Sequence, residues 1–139
     1  MLEQLVNTVE SGLADLGRAL FQTGPRERMQ DEFERLTAGL RERHAELTRA
    51  RTELAGMKRR LRDNPTAAAL LYSRIETAIR QRQLDQAYRA AMELDQLRQT
   101  MAADLEACPR QEQLCWSLQF LLRQLERRIS RLQEQLYSR

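Results

Sequence analysis

Side chains able to do chemistry are few in this chain, and their spacing suits little. His44 is the sole histidine, so one chain can build neither a histidine-based metal set nor a Ser-His-Asp relay. It falls beside an apolar seam on a charged helix, where an imidazole is ordinarily solvated or packed. Cys108 and Cys115 stand one heptad apart and share a face if one helix runs through both. Two thiols without further Cys or His make a weak metal site, and small packing residues are the better reading. The neighbouring carboxylates Asp31 and Glu32 sit on a helix face with arginines in reach for pairing. Five scattered glycines form neither a Walker-type loop nor a GxGxxG turn. The sequence therefore predicts no enzyme, no cofactor and no metal site.

What must hold such residues is helix. Charged residues make up 31% of the chain and aromatics 5%, the profile of long helices whose core comes as seams rather than as a thick interior. From Arg26 to Arg62 the apolar residues fall at Met29, Phe33, Leu36, Leu40, Leu47, Leu54, Met57 and Leu61. With Arg43 and Ala50 filling the two open places, the steps alternate four and three, the spacing of a coiled-coil seam. So thin a stripe needs a partner. Asp63-Asn64-Pro65-Thr66 predicts a break, since the proline pushes Asn64 off helical geometry and costs a hydrogen bond. The basic run Lys58-Arg59-Arg60-Leu61-Arg62 before it reads either as a helix C-terminus complementing the dipole or as a phosphate or headgroup contact at a hairpin tip.

The expected partner is a second helix, 66–107, antiparallel to the first because the connection is short. Leu71, Ile75, Ala78, Ile79, Leu84, Ala87, Ala91, Leu94, Leu97, Met101 and Leu105 can line its inner face, and its alanines permit close approach. Arg80-Gln81-Arg82-Gln83 thins that seam. Cys108-Pro109 then predicts a kink or end, and a third helix, 110–138, resumes with Leu114, Leu118, Leu121, Leu125, Ile129, Leu132 and Leu136. This stripe has no obvious use within the chain, so it is the candidate surface for self-assembly or for a partner protein.

Ahead of the long helix, 1–22 reads as an amphipathic helix. Leu2, Leu5, Val6, Val9, Leu13, Leu16 and Leu20 repeat on one side, with Phe21 at the end. Gly24 can close that helix and Pro25 can start the next. Such a detached helix either packs on the hairpin or a neighbour, or lies in a lipid interface. Its polar face is acidic: Glu3, Glu10 and Asp15 against Arg18. Overall the net charge is +3, and signs interleave along every helix, so no nucleic-acid partner is expected. No signal peptide, two cysteines and no long apolar run point to a cytosolic chain without a spanning helix.

The closest local signature is Arg74-Ile75-Glu76-Thr77-Ala78-Ile79 with Leu84-Asp85-Gln86-Ala87-Tyr88-Arg89-Ala90-Ala91. With Pro25, Arg59-Arg60 and the hairpin, it resembles the phage shock protein A family, which includes the vesicle-inducing protein of plastids, among bacterial ESCRT-III-like membrane-remodelling proteins. The resemblance covers residues 1 to about 107, as of a short or truncated member. It implies a stress-response protein, cytoplasmic and peripheral on the inner face of the cytoplasmic membrane. Residues 2–22 would dock on lipid and the hairpins would stack into homo-oligomers or filaments, with a regulatory protein as a further partner. The expectation is thus an all-α protein: an antiparallel coiled-coil hairpin (26–62 and 66–107), an N-terminal amphipathic helix and a third helix. Its expected function is a self-assembling membrane scaffold; the alternative is a soluble coiled-coil adaptor binding a partner protein through 110–137.

Overall fold

The structure, a computed structural model, describes residues 24–138. The expected amphipathic helix and its residues Leu2, Leu5, Val6, Val9, Leu13, Leu16, Leu20 and Phe21 lie outside the described residues. What is described is two long helices packed against each other: α1 (Pro25–Arg80) and α2 (Leu84–Tyr137).

Pro25 opens α1, where its missing N–H is no loss, and the Gly24 carbonyl accepts the Arg28 N–H at 3.2 Å. The seam from Met29 to Leu61 lies inside as expected: Leu47 and Ala50 are buried, and the other apolar places are half-buried. Arg43 is buried as well.

The expected break at 63–66 is absent. Helix α1 runs through Pro65, and the antiparallel turn falls at 81–83. The reason is visible in the pattern. After Leu61, the less exposed positions continue at Asn64, Ala68, Leu71, Ile75 and Ala78, still stepping by three and four. Proline inside a helix costs about 3 kcal/mol, but a broken helix would give up the burial of all that follows. Pro65 is exposed, so water can serve the carbonyl that loses its donor.

The same correction applies to α2. Pro109 lies inside the helix, and no separate third helix begins at 110. Its inner positions run Ala87, Ala90, Leu94, Leu97, Met101, Asp104, Cys108, Gln111, Cys115, Leu118, Leu122, Leu125, Ile129, Leu132 and Leu136, an unbroken alternation of three and four. Ile79, Leu84, Ala91 and Leu105, expected inside, are exposed. Leu71, Ile75, Ala78, Ala87, Leu94, Leu97 and Met101 take seam places as expected, and what differs is the position of the turn.

The turn is a Schellman-type cap. Gln83 N–H donates to the Ala78 carbonyl at 2.8 Å and Arg82 N–H to that of Ile79 at 3.1 Å. Arg82 takes φ of 54°, the left-handed position where glycine is usual.

Two compact units divide the chain. Unit 1 pairs the start of α1, up to Leu47, with α2 from Leu118 onward. Within it, Leu47, Leu118, Leu122 and Leu132 are buried. Unit 2 is Thr48–Ser117 and contains the turn. Its core near the turn is Leu71, Ala90 and Leu94, with Ala68, Ile75 and Leu97 packed against them. Buried Ala78, Ala87 and Ala90 are the small residues that let two helices approach closely.

Candidate interaction surfaces

Polar side chains fix how the helices pair. In unit 2, Asp104 occupies a seam place and is only 6% exposed. Arg60 grips it through two parallel bonds, Nε to Oδ2 at 2.8 Å and Nη2 to Oδ1 at 2.9 Å. This fork is directional and admits one register. Gln111, also at the seam, donates from Nε2 to the Ala50 carbonyl at 3.0 Å and to Glu53 at 3.2 Å. Lys58 pairs with Glu112 at 3.2 Å. In unit 1, Arg128 pairs with Glu32 and His44 lies 3.8 Å from Glu126. In unit 1 the partner changes from Arg128 to Glu126 between Glu32 and His44, and in unit 2 from Gln111 to Asp104 between Ala50 and Arg60, the sense of antiparallel pairing. The basic run at 58–62 is therefore neither a helix end nor a tip. It lies inside α1, where Lys58 and Arg60 reach across to α2.

The hydrogen bonds from Arg60 hold the Asp104 carboxyl below its ordinary range. Desolvation pulls it the other way, and the guanidinium charge adds to the lowering. A carboxylate whose pKa is depressed on folding contributes stability that is present above its unfolded pKa. That contribution is lost as pH falls through the folded value. The margin in melting temperature of the wild type over Arg60→Gln is thus expected at neutral pH and should close as pH drops below about 4. A margin unchanged in strong acid would mean the fork does not bear on folding.

Large apolar side chains left exposed gather on one flank. On α2, take Ala87 as heptad position a and Ala90 as d. Leu84, Tyr88, Leu105 and Trp116 then fall at e or b, on one side of the seam, with Met92 at f on the outer face, and all are exposed. On α1, Tyr72 and Ile79 take the e position and are exposed too. In an antiparallel pair the e positions of the two helices face each other. Tyr72 shows it, with the Arg98 guanidinium 5.2 Å over its ring. Only Leu70 among these exposed residues of unit 2 stands on the far side. Isolated apolar residues on a surface mean little, but a one-sided set of this size is a candidate interaction face. Sequence periodicity missed it because Ile79, Leu84 and Leu105 were expected in the seam. In unit 1, Phe120 and Tyr137 are exposed on the outer face of α2.

The stripe expected to face a partner, Leu114, Leu118, Leu121, Leu125, Ile129, Leu132 and Leu136, is brought to the seam side of α2. Leu118 and Leu132 are buried and the others half-buried. Within its own units the chain supplies part of their cover. Cys108 and Cys115 sit at equivalent seam positions as free thiols, half-buried and buried. His44 is exposed. No helix among the described residues is long and apolar enough to cross a membrane. No protein-family model matches the chain, and no curated protein matches it.

Proposed function

We propose that the chain is a peripheral membrane-binding, self-assembling scaffold that supports membrane maintenance or remodelling from the cytoplasmic face, of the phage shock protein A type. One observation carries the reading. The seam positions of α1 and α2 cover one another in each unit, up to Leu136. Among the described residues every seam place is at least half-buried, which supports a different use for the apolar stripe that the sequence puts on 2–22. That stripe is left to lipid, where Leu2, Leu5, Val6, Val9, Leu13, Leu16, Leu20 and Phe21 would insert. One such helix binds weakly, and an assembly that displays many binds firmly. Assembly draws on the apolar flank of unit 2, with Ile79, Leu84 and Tyr88 as its contacts. Lipids and further copies of the chain are the partners, with a regulatory protein as a third.

Vesicle co-sedimentation tests this. Deleting 1–22 should cut the vesicle-bound fraction at least tenfold, and Leu84→Glu with Tyr88→Glu should turn a concentration-dependent oligomer into a monomer in sedimentation velocity. A full-length chain that stays in the supernatant with every vesicle type would end the membrane reading. A wild type that sediments as a monomer at tens of micromolar would end the assembly reading.

A further inference from the structure

The outer face of α2 in unit 1 carries a feature that the scaffold reading does not use. Arg123, Arg127 and Arg131 follow one another at i,i+4 spacing, all exposed, and line one shallow concavity with Glu126 and Ser130. None of the three makes an ion pair or hydrogen bond among the described residues. Their neighbour Arg128 is different, since it crosses to Glu32. Like charges at i,i+4 repel each other. Arg127, like Arg41, Arg51, Arg62 and Arg74, has no acidic residue three or four places away on either side, and it alone has an arginine four places away on both sides. Glu126 at the edge of the face is turned to His44, and Glu134 is the one acid on the face itself.

Aromatic residues bracket this ladder. Phe120, 62% exposed, lies at one end and Tyr137, 78% exposed, at the other. Exposed aromatics at both ends of a row of long cationic side chains are the composition of a surface that rests on a bilayer. The rings settle at headgroup level while the arginine stems lie along the apolar boundary. We infer that this face of α2 is a second lipid contact, selective for anionic headgroups, which acts together with residues 2–22.

The inference rests on the membrane reading above and supplies what that reading lacks. The polar face of 2–22 bears Glu3, Glu10 and Asp15, so this segment offers apolar insertion and no attraction to anionic lipid. Stable, reversible attachment commonly needs two signals, one apolar and one basic. The ladder is also near the tether. The Glu32–Arg128 pair sets the ladder level with a point eight residues beyond Gly24, about 12 Å of helix. A basic residue close to an anionic bilayer is worth about fivefold in binding at low salt, so three are worth on the order of a hundredfold.

The test compares the full chain, R123Q/R127Q/R131Q and a charge-matched control, R51Q/R59Q/R74Q, whose arginines are exposed on α1 in unit 2. Each is sedimented with phosphatidylcholine vesicles, with the same vesicles doped with phosphatidylglycerol, and run with a short DNA duplex. All three proteins should show equal helicity by circular dichroism. The wild type and the control should prefer the doped vesicles, the ladder variant should bind both kinds alike, and added salt should erase the preference. Equal wild-type binding to both kinds, or an equal loss in the control, would overturn the ladder while leaving the membrane reading in place. Binding to neither kind would overturn both. A ladder variant that keeps its vesicle preference but loses DNA retention would assign the face to nucleic acid and overturn the inference.

Discussion

Truncating Leu118 to alanine should lower the stability of the folded chain by about 3 kcal/mol, whereas the same truncation at Leu105 should change it by a few tenths at most. Leu118 is 2% exposed and is the largest fully buried side chain of the described residues. Among the described residues the two-helix pair has little other core and no third layer, so few neighbours can collapse into a cavity at this place. Leu105 lies on the exposed flank at 63% and gives up almost no burial when shortened. Urea denaturation followed by circular dichroism measures both. Leu118→Asp should cost more still, since it plants a carboxylate among apolar seam residues. Equal shifts for Leu118→Ala and Leu105→Ala would mean that the register is wrong by one face.

The contrast bears on what was legible in the sequence. The first half of α1 was readable because its apolar residues are large and sit at strict heptad spacing, so Met29 through Leu61 announce their own face. From Asn64 onward the seam is written in weaker letters. Asn64 and Ala68 carry no apolar signal to outweigh the proline between them, and in α2 Asp104, Cys108 and Gln111 hide three consecutive seam places. A local rule about proline is visible in a sequence. The burial that overrides it exists only once the partner helix is present. The real turn carries no Gly, Pro or Asn at 81–83. Its sign was the polar run Arg80-Gln81-Arg82-Gln83, legible as a thin seam and not as a reversal, because left-handed geometry at an arginine is unusual.

The interaction surfaces followed the same logic. With the turn expected at 63–66, Ile79, Leu84 and Leu105 seemed to belong inside, and the exposed flank of unit 2 could not be seen. Conversely, Leu118 through Leu136 seemed surplus because their true partner, the first half of α1, had been assigned to another helix. Counting the four-three alternation through both prolines recovers the right register. The flank and the arginine ladder then follow from heptad position alone, since both lie on the sides of α2 that the seam leaves outward.

Both interior prolines therefore make a strong prediction: Pro65→Ala and Pro109→Ala should each stabilise the fold. The missing hydrogen bond and the ring's clash with the preceding turn cost about 3 kcal/mol inside a helix. Alanine restores the bond and has the highest helix propensity. Part of that gain is offset because proline also restricts the unfolded chain, an effect of about 0.4–1 kcal/mol. The net should be about 2 kcal/mol for each, read as a higher urea midpoint at unchanged slope. Their exposure favours this outcome, since alanine introduces no clash and buries nothing new. The two sites belong to different helices, and both to unit 2. The double variant should be close to additive if they share no contact. If the chain instead turned at 63–66, Pro65→Ala would take away a turn residue and destabilise the hairpin. The sign of that one substitution thus decides between a reversal at Pro65 and a helix that runs on to Arg80.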